Sequence, residues 1–305
     1  GGKSQQMGKN TRVKARVKAH ALREFMMSKE KVVVMGHKIS DADAIGAAIG
    51  IYRAAKSLNK KAHIVVNNPT MSVRPVIERF KDNQDYEHDM FVDSNQAMDI
   101  VDFNTVVVVV DVNKPSYTEC EELLHMTKTI VVLDHHRQGS EVIQNAVLSY
   151  IEPYASSACE MVAEILQYFG DDIKIYNIEA DALYSGIMID TNNFTSKTGV
   201  RTFEAAAFLR RCGADVTRVR KMFRDNMESY RAKAEAIRSV ETYREVFALA
   251  VCPSEGLDSP TVIASQAANE LLNVSSVKAS FVLTDYRNEI YISARAIDEV
   301  NVQII

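Results

Sequence analysis

The sequence predicts an α/β protein: a parallel sheet with helices on both faces, followed by a linker helix and a smaller α/β domain. Three observations predict it. Val32–Met35, Thr105–Val110 and Thr129–Leu133 are apolar, mostly β-branched runs without polar alternation, as strands buried on both faces require. Helical patterns separate these runs, which is the order of a parallel sheet rather than of hairpins. A charged helical stretch at 228–243 then precedes a strand, a helix and two more strands.

Taken in order, residues 12–27 read as an amphipathic helix with Val13, Val17, Ala21 and Phe25 on one face. Gly36 ends the first strand. Asp43–Leu58 is helical, and its small Gly46 and Gly50 permit close packing. Ala62–Val66 is a second strand, 69–80 a helix after Pro69, and Ser94 the cap of a short helix to Val101. A helix around Ser116–Met126 joins the two valine-rich strands, and Val147–Ile151 is one more strand. Helices follow over 156–169, 177–190, 201–212 and 215–224, with Gly213 suited to the end of the third. The last elements are a strand at Val246–Val251, a helix at Val262–Leu272, and strands at Lys278–Thr284 and Glu289–Ala294 around a turn at Asp285–Asn288. The expected divisions are a basic lead at 1–29, the first domain at 30–226, the linker helix at 227–245 and the second domain at 246–305. The chain stops at Ile305 directly after Asp298–Ile304, which reads as a fragment with its second domain incomplete.

Composition sets limits. With 305 residues, 47% hydrophobic and 25% charged, the chain can bury a sizeable core and is not a mainly disordered segment. No apolar run approaches the roughly 18 residues of a membrane span, and GGKSQQMGKN is not a signal peptide. Four scattered cysteines without a CxxC read as thiols in a reducing cytosol. Residues 1–29 carry +7, which leaves −11 on the rest. A long nucleic acid needs a basic track, so an acidic body argues against a polymer substrate. The basic lead itself reads first as a solvated helix face.

Ligands of open parallel sheets gather beyond the carboxyl ends of the strands. Three strands here deliver polar residues at that end: His37, Asp41 and Asp43 in HKISDAD, then Asp111, then Asp134, His135 and His136. Clustered carboxylates oppose one another's ionisation, and a pair of divalent cations would relieve this. Carboxylate and imidazole without thiolate suit Mn²⁺, Mg²⁺ or Co²⁺. Each residue also has a plain structural reading. Asp111 could be a turn former, DAD an N-cap, the two histidines surface residues, and Asp190 merely the end of the stretch Ala182–Ile189. The joint occurrence on one rim favours the metal reading.

HxxxDxD at 37–43, an isolated Asp after a hydrophobic strand at 111, D-H-H at 134–136 and Asp190 in SGIMIDTNNF together resemble the DHH phosphoesterase family. The resemblance covers roughly residues 30–305. The basic lead, GHKISDADAIGAAIGIYR, VVLDHHRQ, YIEPYASSACEMVAEIL and ISARAIDEVNVQII narrow it to the catalytic region of GdpP/YybT-type cyclic di-AMP phosphodiesterases. It implies a DHH domain followed by a DHHA1-type nucleotide-holding domain, whose GGGH-type motif should follow shortly after residue 305. It also implies a membrane-anchored full-length bacterial protein with this part in the cytoplasm, making no membrane contact itself.

The resemblance implies two divalent ions, with Mn²⁺ the expected metal. His37, Asp41 and Asp111 would hold one and Asp43, Asp111, His135 and Asp190 the other, Asp111 bridging. Asp134 would orient a histidine, His136 would touch the substrate phosphate, and Arg295 in SAR would offer phosphate a two-bond guanidinium contact. The implied reaction opens cyclic di-AMP, a small cyclic dinucleotide, to linear pApA. Three alternatives stay open: a small-oligonucleotide phosphatase, a pyrophosphatase, and a non-catalytic nucleotide sensor. A homodimer is left open as the assembly.

Overall fold

The computed structural model describes residues 2–297 and 302, with side chains from residue 11 onward. Expectations for Asp298–Ile304 other than Val302, and for the side chains of Lys3 and Lys9, lie outside the described residues. The chain divides into two compact units, Gly1–Phe223 and Arg224–Ile305.

The first unit runs α1 (Gly2–Met27), β1 (Lys31–Met35), α2 (Ala42–Ser57), β2 (Lys61–Val65), α3 (Arg74–Lys81), β3 (Phe91–Val92), α4 (Ser94–Ile100), β4 (Thr105–Val110), β5 (Thr129–Asp134), β6 (Leu148–Ile151), α5 (Ala158–Phe169), α6 (Asn177–Asp190), α7 (Val200–Arg211) and α8 (Val216–Met222). The six strands form one sheet in the order β3-β2-β1-β4-β5-β6, and every pairing is parallel. The valine runs have no polar alternation because both faces are covered. Val32, Val34, Val106, Val108 and Val131 pack under α1, α2, α5 and α6. Val33, Met35, Val107, Val109 and Val132 meet Ala97 of α4 and Leu123 and Leu124 of a 3₁₀ turn.

Glycine lets α2 lie close to its neighbours. A Cβ on Gly50 would stand 2.5 Å from Val162 Cγ1, and one on Gly46 equally close to the Ala182 carbonyl oxygen. Helix α6 is further fixed by two buried carboxylates. Glu179 accepts two bonds from the Arg53 guanidinium at 2.7 and 2.8 Å and one from Tyr86 at 2.9 Å. Asp181 binds Arg79 at 2.8 Å and Arg218 at 2.5 Å. Breaking such a pair from one side leaves a buried charge, so these contacts set the axis of the helix that ends at Asp190.

Several expectations need correction. The lead helix exists, but Val13 and Val17 are exposed, and Ala15, Ala19, Leu22 and Met26 are buried instead. Two short 3₁₀ turns, Pro115–Tyr117 and Glu121–His125, replace the helix expected around Ser116–Met126. Helix α3 begins at Arg74, with Pro75 in its first turn, rather than after Pro69. Asp93, not Ser94, caps α4, and Gln96 completes the capping box.

The second unit comprises α9 (Met227–Arg238), β7 (Glu241–Tyr243), β8 (Phe247–Val251), α10 (Pro260–Leu271), β9 (Ala279–Tyr286) and β10 (Glu289–Ala296). Its sheet has the order β10-β9-β8-β7, with only β8 and β9 parallel. The stretch 227–245, expected as one linker helix, is α9 followed by β7. Ala232 and Ala236 of α9 belong to the core of this unit, with Ala248, Val282 and Ala267. The hairpin turns at Arg287 and Asn288, whose φ values of 54° and 62° suit a two-residue loop. Among the described residues, no helix is long and apolar enough to cross a membrane.

Candidate metal centre

The strand order reverses between β1 and β4, and in open α/β sheets the crevice at such a point is where ligands bind. His37 leaves the end of β1 and Asp111 the end of β4, so these two residues straddle it. Asp111 has φ +60°, an unusual conformation for a residue other than glycine, asparagine or aspartate. Its carboxylate is 2% exposed.

The two oxygens of Asp111 face different neighbours. Oδ2 lies 3.2 Å from His37 Nε2, which is also 3.4 Å from Asp41 Oδ1. Oδ1 lies 3.2 Å from His135 Nε2, which is itself 3.5 Å from Asp43 Oδ2 and 3.5 Å from Asp190 Oδ2. The structure thus brings together His37, Asp41 and Asp111 on one side and Asp43, His135 and Asp190 on the other, each group within metal-ligand reach.

The supports are visible. Asp41 caps α2 through Ala44 N at 2.9 Å. Asp43 is fully buried and accepts from the first-turn N–H groups of α5, Ala158 and Cys159, each at 2.8 Å. The DAD motif therefore does cap helices, and it also faces the cluster. The His135 ring bonds the Ala155 backbone. Its Nε2 is buried without a hydrogen-bond partner. Asp190 ends α6.

Asp134 borders this pair of groups, with ligand atoms of Asp111, Asp134, His135 and His136 all within 4.8 Å of one another, but its own oxygens are taken up by hydrogen bonds. It is fully buried, and its Oδ1 accepts from His136 Nδ1 at 2.7 Å and from the His135 and His136 backbone at 2.9 and 3.2 Å. The histidine it orients is therefore His136, whose side chain is 55% exposed. Asn113 completes the chain by donating to Asp134 Oδ2 at 2.7 Å and to the His136 carbonyl at 3.3 Å. Sequence reasoning missed Asn113; its position two residues beyond Asp111 in DVN is the one available signal. Arg295 belongs to the second unit, on β10, where it donates to Ala294 O at 2.8 Å and to Ser265 Oγ.

The electrostatics call for positive charge. Burial raises Asp111 to about 7, the Asp41 and Asp190 charges adding to the rise despite His37. Burial also raises Asp190 to about 8, with Asp43 and Asp41 contributing. Burial followed by the Asp111 and Asp41 charges pushes Asp43 well up. Burial alone would depress His37, but its bonds to Asp111 and Asp41 prevail and raise it to about 10. His136 rises to about 9, chiefly through its bond to Asp134. His135 is depressed by burial and by His136.

The donor set fits divalent cations. Asp111 Oδ1 and His135 Nε2 are buried without a hydrogen-bond partner, though native interiors rarely leave such atoms unpaired. Two acceptors aimed at each other need a cation, and oxygen and imidazole donors without thiolate suit Mn²⁺- or Mg²⁺-like ions.

Comparison with known proteins agrees. The DHH family, N-terminal domain, matches residues 31–187. Over its whole length the chain is 43% identical to the cyclic-di-AMP phosphodiesterase GdpP of Bacillus subtilis (strain 168). It is likewise 39% identical to the cyclic-di-AMP phosphodiesterase PdeA of Listeria monocytogenes serotype 1/2a (strain 10403S). The chain spans about half the length of the curated relatives it matches, 47% in both cases. An exopolyphosphatase-related protein from Bacteroides fragilis superposes with a TM-score of 0.76 at 18% identity, covering 93% of this chain and 84% of its own, a likeness of fold alone. The chain belongs to the DHH family.

Proposed function

We propose that this chain is the catalytic part of a metal-dependent phosphodiesterase that opens cyclic di-AMP to linear pApA. The observation that carries the chemistry is the Asp111 carboxylate, with one oxygen turned to His37 and the other to the unpartnered His135 Nε2. The choice of cyclic dinucleotide is supported by the GdpP and PdeA relatives, which match the chain from end to end.

In this reading His37, Asp41 and Asp111 hold one divalent ion, and Asp43, Asp111, His135 and Asp190 hold a second, with Mn²⁺ the expected metal. Bound ions would lower the pKa of water and neutralise charge developing on the phosphoryl oxygens. The protein supplies the rest. The α5 N–H groups and the Ala155 backbone hold Asp43 and His135 in place before substrate arrives. His136, kept protonated by Asp134, offers its free Nε2–H to a phosphate oxygen. Arg295 is the candidate for a second phosphate contact.

The test is product analysis. Cyclic di-AMP, cyclic di-GMP, pApA and pyrophosphate are each supplied with Mn²⁺ and with chelator. The proposal expects pApA from cyclic di-AMP, in Mn²⁺ only. Cleavage of pApA to AMP much faster than ring opening would move the chain to the small-oligonucleotide phosphatases. Binding of nucleotide without any product would make it a sensor.

A further inference from the structure

Glu119 is a buried carboxylate outside the metal cluster, 6% exposed, and neither the ligand sets nor the Asp134–His136 arm uses it. Its surroundings connect it to one half of the cluster. The segment Tyr117–Glu119 lies antiparallel beside the end of β1: Lys38 N donates to Tyr117 O at 2.8 Å, Glu119 N donates to Gly36 O at 2.9 Å, and His37 bridges Thr118. The Glu119 side chain then reaches the loop between His37 and Asp41. Ser40 Oγ donates to Glu119 Oε1 at 3.0 Å. Asn67, just past β2, donates through Nδ2 to Oε2 at 2.8 Å and to the Glu119 carbonyl at 3.0 Å. Asn67 is itself oriented by Ser94 N, which donates to its Oδ1 at 2.8 Å.

We infer that Glu119 is a positioning residue for the His37–Asp41 half of the metal centre. The inference rests on the metal-dependent reading above. His37 and Asp41 approach within 3.4 Å across a loop whose only buried polar side chain is Ser40. Ser40 is gripped on both sides, by Glu119 at its hydroxyl and by Thr70 Oγ1 at its carbonyl, 3.2 Å away. A carboxylate is the group that can accept from the Ser40 hydroxyl and the Asn67 amide together, because both its oxygens are acceptors. A glutamine would have to turn an NH₂ toward one of these two donors. The other half of the centre is held differently, by the α5 N–H groups, the Ala155 backbone and the end of α6. Glu119 should therefore act on one ion and not on both.

The experiment is Mn²⁺ titration by calorimetry on the full chain, with Asp190→Asn as the reference that weakens the Asp43–His135–Asp190 ion. Wild type should bind two ions; if it binds none, the metal reading fails and this inference with it. Glu119→Ala and Ser40→Ala should each weaken one ion about 10- to 100-fold, the size usual for a partner of a metal ligand. The ion weakened should be the one that Asp190→Asn retains. Glu119→Gln, which keeps one acceptor, should recover part of the loss. The double variant Glu119→Ala/Ser40→Ala should do no worse than Glu119→Ala alone, since that variant already breaks the link to Ser40. Wild-type affinities in Glu119→Gln and Ser40→Ala, or equal weakening of both ions in them, would overturn the inference even if the alanine variant at 119 folds poorly.

Discussion

Asp111 Oδ1 and His135 Nε2 face each other across 3.2 Å, both buried and neither with a hydrogen-bond partner. Around them several groups hold protonation states that the folded site imposes. Asp111 and Asp190 are raised to about 7 and about 8, and His37 and His136 to about 10 and about 9.

Stability of the metal-free protein should therefore fall as pH rises. A raised carboxyl binds its proton more tightly folded than unfolded, so it costs nothing below the unfolded value near 4. Its penalty grows until pH passes the folded value, about 7 for Asp111 and about 8 for Asp190. The two raised histidines act in the same direction, stabilising below about 6.5 and losing that contribution as pH climbs through 9 to 10. Within the cluster Asp41 and His135, both lowered, oppose the trend. Mn²⁺ removes the repulsion, so the rise in Tm on adding Mn²⁺ in place of chelator should be larger at pH 8.5 than at pH 5.5, two values chosen about the folded pKa range. Thermal melts under the four conditions check this; a shift independent of pH would refute it.

Replacing Asp111 by Asn keeps the side-chain size and a residue type that tolerates φ +60°. It removes the one carboxylate shared by both groups. We expect loss of both ions and of activity, with Tm in chelator equal to or above wild type because a buried charge is gone. Calorimetry with Mn²⁺ decides it. Two ions bound at wild-type affinity would end the bridging assignment.

How much of this was legible in the sequence follows from where each residue finds its partners. The strands were legible because Thr105–Val110 and Thr129–Asp134 are buried along their whole length, so the positions between their polar ends, Val106–Val110 and Ile130–Leu133, are all apolar. The 3₁₀ turns near 115–125 were not, because the intervening Thr118 is taken up by the end of β1 rather than by a helix. The buried face of α1 was misread because small Ala15 and Ala19, which permit close approach to α5, carry a weaker signal than exposed Val13 and Val17. Strand β7 was hidden because its turn uses positive φ at Arg244 and Glu245, with no glycine to mark it. The grouped His and Asp residues were visible as strand-end and helix-end polar residues. Asn113 and Glu119 were not, since their bonds run to Asp134, Ser40 and Asn67, residues remote in sequence.

Gly186 offers a test of how tightly α6 is packed against the centre. A Cβ there would lie 2.9 Å from Asp43 Cα and against Cys159 Sγ. Gly186→Ala should cost about 1–3 kcal/mol of stability by overpacking and should also displace Asp43, weakening one Mn²⁺. Gly50→Ala meets Val162 and Leu183 instead, so it should cost stability without changing metal affinity. Chemical denaturation and Mn²⁺ titration of both variants check the contrast; equal metal affinities in the two would show that Asp43 is not set by this helix contact.

The last prediction separates the charge of Asp134 from its hydrogen bonds. Asp134 Oδ1 accepts from His136 Nδ1 at 2.7 Å, and that bond is the chief reason His136 rises to about 9. Asp134→Asn removes the charge and sets an NH₂ against the NH₂ of Asn113, which now donates to Oδ2 at 2.7 Å. Two buried donors then face each other, so the single variant should lose about 1–3 kcal/mol. The exchange Asn113→Asp/Asp134→Asn restores a donor–acceptor pair between the two side chains but loses the bond to the His136 carbonyl, so it should regain part of that stability. It does not restore the carboxylate beside the ring, so His136 should titrate nearer the ordinary 6.5 in both variants. Two-dimensional NMR of the metal-free proteins reads this directly. If His136 serves as a protonated contact to phosphate, the alkaline limb of the pH–rate profile should move down in the double variant while its fold is intact. An unmoved limb would show that the exposed ring of His136 is not the group that holds the proton.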